Sequence, residues 1–240
     1  MKICRIRRSS QDLWGVISNG DVCELIGSPY DFSGIGSKIC SLEEAVFLPP
    51  LYQTNKVPAI AANYGEKDAR DGPGIFMKQP GTYLAHGGSI VYPRGCKTVI
   101  HEAELGIVIG KEARHVEENN ALEYVLGYTC VNDVSGREMT QSDEGKGLSM
   151  RWKHFDTFCP MGPFIETSVE TPMNLEIECF VNGELSASGN TSGMIFPIEK
   201  LISWVSEVMT LYPGDIIPTG CPGVAAVSYT HLTLPTILLV

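Results

Sequence analysis

Residues 99–110 read VIHEAELGIVIG, and this stretch decides the fold. A strand sends alternate side chains to opposite faces. In that geometry Glu102 and Glu104 share one face, while Ala103 and Leu105 point the other way. Two carboxylates side by side on a strand repel unless a cation or a proton lies between them. Glu-x-Glu is therefore half of a hard-cation site, suited to Mg²⁺ or Mn²⁺ with oxygen ligands. Taken alone, the motif is weak, and a solvated strand face is its commoner explanation. A third carboxylate is required, and Asp133 stands just beyond the apolar run 124–131. Downstream, RWKHFDTFCPMGP (151–163) places Lys153 where it would offset surplus negative charge or hold a substrate anion. The alternative makes Asp133 a turn cap and Lys153 a surface residue, and spacing does not decide between them.

Strand-like runs surround this stretch: Ser89–Pro93, Leu105–Ile109, Leu175–Val181 and Asp215–Thr219. Two helices are predicted. One covers Ala121–Leu126. The other starts at Pro197, a residue suited to the first helical position. Its apolar residues Ile198, Leu201, Ile202, Val205 and Met209 recur at helical spacing, and Pro213-Gly214 ends it. Nearer the start, LWGVISNGDVCELI (13–26) sets two apolar runs about Asn19-Gly20, a dipeptide made for a tight hairpin turn. Ser41 and Glu44 form a capping-box pattern for a brief helix, stopped by Pro49 and Pro50. The chain thus divides into a small N-terminal β domain, residues 1–52, and a larger domain over 53–223, with Leu48–Lys56 linking them. The fold class is β-rich α+β, a barrel or sandwich with helices packed outside.

Composition narrows the partners. The 240 residues carry 18 Lys+Arg and 28 Asp+Glu, a formal net charge of -10. Such a balance argues against nucleic acid, whose phosphates need clustered cations. It does not exclude a small anionic substrate, because one metal ion reverses the field in a cleft. No apolar run reaches the roughly 20 residues of a membrane helix, and Met1–Ser10 lacks the apolar core of a secretory signal. The eight cysteines include no C-x-x-C pair, so they read as reduced thiols of a cytoplasmic protein.

Five segments, in order and at matching spacing, resemble the fumarylacetoacetate hydrolase superfamily. They are HEAELGIVIGK (101–111), GYTCVNDVSGRE (127–138), KHFDTFCPMGPF (153–164), VNGELSASGNTSGMIF (181–196) and LYPGDIIPTG (211–220). The organisation is similar to the branch holding acylpyruvate hydrolases, oxaloacetate-acting enzymes and hydroxyheptadienedioate isomerases. The resemblance implies a mixed β-roll or barrel of the family's C-terminal type. It implies Mg²⁺ or Mn²⁺ held by Glu102, Glu104 and Asp133, with Lys153 as a catalytic residue against the metal. Arg137, Thr140, Gln141 and Cys221 are then the substrate-binding candidates, and the full-length protein a homodimer. The substrate implied is a small 2-oxo or enol acid, whose keto and carboxylate oxygens chelate one cation that stabilises an enolate.

Three departures qualify that expectation. Hydrolytic and decarboxylating relatives read N-Y-x-x-H-x-x-E, whereas Asn63-Tyr64 is followed by Lys67 and Arg70 at the His and Glu places. A lysine is protonated at neutral pH and is a poor base. Weight therefore moves from hydrolysis to isomerase or tautomerase chemistry, with a catalytically silent member that binds a metal–oxo-acid complex as the alternative. The usual T-G-T-P reads Thr219-Gly220-Cys221-Pro222, placing a thiol where a hydroxyl is common. Finally, the pattern stops after Gly223. The run VSYTHLTLPT (227–236) resembles a reading frame of a transposase sequencing adapter. Residues 224–240 are expected to be a non-native tail in which His231 has no role.

Overall fold

The computed structural model describes residues 1–66, 72–139, 150–227 and 232–233. Its organising element is strand β10, Val99–Ile109, the chain's VIHEAELGIVI. Alternation along it is as expected from its sequence. Ala103, Leu105, Ile107 and Ile109 enter one hydrophobic cluster, and Val108 on the opposite face enters another. Both faces are covered, and every residue from Ala103 to Ile109 is buried.

β10 is also the hub of the sheet. It pairs antiparallel with β11 (Val125–Asn132), β12 (Ser135–Gly136), β17 (Ile216–Pro218) and β18 (Val224–Val227). β11 continues to β14 (Phe164–Glu166), which pairs with β1 (Lys2–Arg8). From there the sheet runs through β2 (Gln11–Ser18), β3 (Asp21–Ser28) and β4 (Asp31–Ser41). One pairing is parallel, between β8 (Tyr83–Ala85) and β13 (Cys159–Met161). The result is a large mixed sheet of 13 strands. β5 (Val46–Leu48) lies on the other side of β1. Outside this sheet, β6 (Val57–Ala61) pairs β7 (Gly74–Lys78), β15 (Glu176–Val181) pairs β16 (Glu184–Asn190), and β9 (Ser89–Ile90) pairs β19 (Leu232–Thr233).

Local sequence explains the turns. The β2–β3 hairpin closes at Asn19 and Gly20, both at positive φ (50° and 81°), as a primed two-residue turn requires. The brief helix at Leu42–Glu44 is a single 3₁₀ turn, with the Ser41 N–H donating to Glu44 Oε2 at 3.2 Å. The helix expected at Ala121–Leu126 is instead a 3₁₀ segment, Glu118–Tyr124, with Ala121 alone buried. An apolar stripe too thin to bury does not sustain an α-helix. The strand expected at Ser89–Pro93 covers two residues, Ser89 and Ile90, which pair with β19 among the described residues.

The C-terminal helix stands almost as predicted. Short α1 spans Met150–Lys153, and α2 spans Ile198–Val208 with Pro197 as its N-cap. Ile198, Leu201, Ile202 and Val205 are fully buried against β10's Leu105, Ile107 and Ile109 cluster. The helix ends at Val208 rather than running on to Pro213, since Met209 adopts an extended backbone.

The linker segment 48–56 is packed. Leu51 is buried, and a knot centred on buried Asp215 fixes the rest. Asp215 Oδ1 accepts from the Lys56 N–H at 2.8 Å and from Asn55 Nδ2 at 3.3 Å. Its Oδ2 accepts from the Tyr212 N–H at 2.8 Å and meets Lys56 Nζ at 2.5 Å.

Candidate active site

Glu102 and Glu104 leave β10 on the same face and reach one cavity of about 450 Å³. Asp133, Trp152, Lys153, Gly220 and Cys221 also line it, facing an apolar wall that includes Ile75 and Phe76. Asp133 follows β11, and its N–H donates to the Glu102 carbonyl at 2.9 Å. That backbone bond draws the third carboxylate beside the first two.

Lys153, at the end of α1, donates to both Glu102 Oε2 and Asp133 Oδ2. Its ammonium stands 5.2 Å from the Phe76 ring centroid and 5.3 Å from that of Trp152, within cation–π range. Burial works to discharge it, but Asp133 and Glu102 outweigh that and raise its pKa. Asp133 has a second partner, Lys78 on β7, whose side chain is fully buried and whose Nζ lies 2.8 Å from Oδ1. Lys78 also donates to the Lys153 carbonyl at 2.6 Å. Burial alone would raise the Asp133 pKa, yet Lys78 and Lys153 hold it below the ordinary carboxylate range.

Glu104 differs. It is 2 % exposed, and one oxygen accepts the Gly220 N–H at 2.8 Å. Gly220 has φ +90°, a conformation that suits glycine, and an added Cβ there would lie 3.0 Å from Asn63 Cβ. Among the described residues no ammonium or guanidinium pairs with Glu104. Burial, then repulsion from Asp133 and Glu102, raises its pKa well above the ordinary value. The Glu102 pKa is also raised, by burial against the opposing pull of Lys153.

These residues fit a divalent cation. The donors are carboxylates on rigid strands, and Glu104 is a buried carboxylate with one neutral donor, a costly state for an anion without a counter-charge. Glu102, Glu104 and Cys221 each present a ligand atom, all within 4.8 Å of one another.

Sequence reasoning missed the residues that hold this wall in place. Asn132 Oδ1 accepts the Glu102 N–H at 3.1 Å, and its Nδ2 faces His101 Nδ1 at 3.0 Å. An amide fixed that way donates to Nδ1, so the proton of the neutral ring sits on Nε2. Burial lowers the His101 pKa to about 4, which keeps the ring neutral. Asn63 joins three segments, donating to the Phe196 and Thr219 carbonyls at 3.1 and 2.9 Å and accepting the Phe196 N–H at 2.8 Å. The signal for Lys78 was a lysine directly after the apolar Ile75–Met77; nothing local signalled Asn132.

Of the substrate-binding candidates, Cys221 lines the cavity. Arg137 is exposed beyond β12 and is not among the described cavity residues; its N–H donates to the Thr98 carbonyl at 3.1 Å. Thr140 and Gln141 lie outside the described residues, as do Lys67, Arg70 and His231.

The sequence matches the fumarylacetoacetate (FAA) hydrolase C-terminal family over residues 53–235. A mitochondrial oxaloacetate tautomerase of Bos taurus is 41 % identical over 187 residues, 75 % of this chain and 59 % of the bovine protein. The structure of a 5-carboxymethyl-2-hydroxymuconate delta-isomerase from Mycobacterium smegmatis superposes with a TM-score of 0.84 at 35 % identity, covering 95 % of this chain and 91 % of that one. A 2-hydroxyhepta-2,4-diene-1,7-dioate isomerase from Mycobacterium marinum gives 0.82 at 34 % identity, over 95 % and 90 % of the two chains. The match spans 62 %, 76 % and 59 % of the length of three of the curated relatives. With three-quarters of its length on the family pattern and its β-rich mixed sheet superposing on these isomerases, the chain belongs to the fumarylacetoacetate hydrolase family of enzymes.

Proposed function

We propose that this protein interconverts the enol and keto forms, or the double-bond isomers, of a small 2-oxo acid, using a divalent cation. One observation carries the reading: three carboxylates and Lys153 meet in one cavity, beside Asn63 and Cys221 and opposite aromatic and aliphatic side chains that include Phe76, Trp152 and Ile75. The relatives named as oxaloacetate tautomerase and as diene-dioate or muconate isomerases support the same substrate class.

Glu102, Glu104 and Asp133 would hold Mg²⁺ or Mn²⁺, which supplies charge stabilisation for a developing enolate. The chain's own residues do the rest. Lys153 Nζ keeps its proton and donates hydrogen bonds, so it attracts the substrate's anionic end rather than acting as a base. Lys78 and Asn132 fix Asp133 and the Glu102 backbone, so the polar wall does not reorganise when substrate enters. Phe76 and Trp152 exclude water, which strengthens every charge contact inside and disfavours hydrolysis. Arg137, Thr140, Gln141 and Cys221 complete the proposed substrate contacts. A rolled closure of the sheet, a cytoplasmic location and a homodimer belong to the same proposal. The eight free thiols support a reducing compartment.

The test is enol-to-keto conversion of oxaloacetate, followed by ultraviolet absorbance with and without Mg²⁺ or Mn²⁺, beside hydrolysis of an acylpyruvate. Cation-dependent conversion faster than hydrolysis is expected. Lys153→Met should lower it by about 10²–10³-fold, the scale for removing one charge-stabilising donor. Binding of oxo acid and cation without turnover would replace this reading by the silent family member.

A further inference from the structure

Charge is unevenly compensated along the polar wall. Lys153 ties Glu102 to Asp133, and Lys78 neutralises Asp133 again from behind. Glu104 receives no cation from the described chain. Its second oxygen has no hydrogen-bond partner among the described residues, although the residue is 2 % exposed. A sulfur stands beside it: Cys221 brings Sγ within 4.8 Å of ligand oxygens from both Glu102 and Glu104. The approach is fixed by the backbone, since the preceding Gly220 is pinned by its N–H to Glu104 and Thr219 is pinned twice to the Leu105 carbonyl, by N–H at 3.0 Å and by Oγ1 at 2.9 Å.

Ligand type selects the metal. Carboxylate and water suit Mg²⁺ and Mn²⁺, whereas thiolate draws zinc and its neighbours in the transition series. We propose that Glu102, Glu104 and Cys221 form a mixed oxygen–sulfur site that prefers a thiophilic divalent cation of the zinc class to Mg²⁺. The inference rests on the cation-site part of the functional reading and replaces the substrate-contact role of Cys221 by ligation. Binding forms one metal–sulfur bond and releases the thiol proton to solvent; no oxidant or reductant takes part.

The experiment uses the whole 240-residue chain stripped of metal by chelation, then titrated separately with Co²⁺, Zn²⁺ and Mg²⁺. Co²⁺ is expected to produce a sulfur-to-metal charge-transfer band in the near ultraviolet, bleached stoichiometrically by Zn²⁺ and absent from Cys221→Ser and Cys221→Thr. Either substitution should weaken Zn²⁺ by more than the roughly 10–100-fold typical of changes outside the ligand set, while leaving Mg²⁺ affinity unchanged. Co²⁺ bound without a sulfur band, or unchanged Zn²⁺ affinity in Cys221→Ser, overturns the sulfur ligand even if 2-oxo acid turnover is intact. A sulfur band in a protein that turns over no 2-oxo acid sustains this site and overturns the functional reading. Failure of all three cations to bind overturns both.

Discussion

β10 and β4 are both eleven residues long and lie in the same sheet, but they have opposite surroundings. β10 pairs with four strands and is buried from Ala103 to Ile109. β4 pairs with β3 alone, through three register shifts, and only Cys40 along it is buried. The difference teaches where a charge acquires chemical power. Near β4, Lys38 and Asp21 pair at 2.7 Å but remain 55 % and 33 % exposed, so water does most of their solvation. Around β10, Glu104 and Asp133 are buried, and Asp133 is balanced by Lys78 and Lys153. Sheet centrality, rather than residue type, separates a buried carboxylate from a solvated one.

Deleting one lysine in each region tests this most severely. Lys78→Met strands the buried Asp133 with half its counter-charge and should cost about 3–5 kcal/mol, the range for breaking a buried pair from one side. Lys38→Met removes a pair of similar length and should leave the urea midpoint where it was. Similar midpoint shifts in the two variants would erase the distinction.

A smaller effect comes from adding one methyl to each strand. At Gly106 on β10 a new Cβ would lie 2.7 Å from Val131 Cγ2, 3.1 Å from Ile216 Cγ2 and 3.2 Å from Thr129 Cγ2. Gly106→Ala should therefore destabilise by about 1–3 kcal/mol through overpacking. At Gly34 on β4 the nearest atom is Ile26 Cδ1 at 4.0 Å, and Gly34→Ala should stay within about 0.5 kcal/mol. Thermal unfolding of the pair decides.

The gentlest probe is pH. Burial and the neighbouring carboxylates raise the Glu104 pKa in the folded state. Its contribution is thus complete below the unfolded value of about 4.3 and is lost as pH climbs through the raised one. Asp133, held low by its lysines against burial, has the reverse sign, contributing above about 3.9 and failing as pH drops further. The metal-stripped protein should lose thermal stability from weakly acidic to neutral pH. Glu104→Gln or saturating divalent cation should flatten that slope. An unchanged slope in Glu104→Gln would place its origin elsewhere.

What could be read from sequence follows the same division. The shared face of Glu102 and Glu104 was legible because a two-residue period is local. So were the Asn19-Gly20 hairpin and the buried stripe of α2. Asp133 and Lys153 were legible only through resemblance, since each reaches the cavity by a contact with a distant segment. Lys78 was visible only as a lysine after an apolar run, because its role depends on a partner 55 positions away. Cys221 was visible as a departure, but its nearness to both glutamates needs the folded turn at Gly220. The expected helix at 121–126 failed because propensity and caps do not report whether a stripe finds something to cover.

The Asp215 knot has a consequence for the order in which this molecule comes apart. It stitches Asn55 and Lys56, just after the N-terminal strands, to a turn some 160 positions later. Segment 48–56 reads as a linker in sequence, yet Asn55 and Lys56 cannot move away without releasing the turn that leads into the strand pairing with β10. The Asn55 and Lys56 amide hydrogens, bonded to the Tyr52 carbonyl and to Asp215, should exchange only at the rate of global unfolding. The N-terminal strands and the strands around β10 are thereby expected to share one cooperative transition.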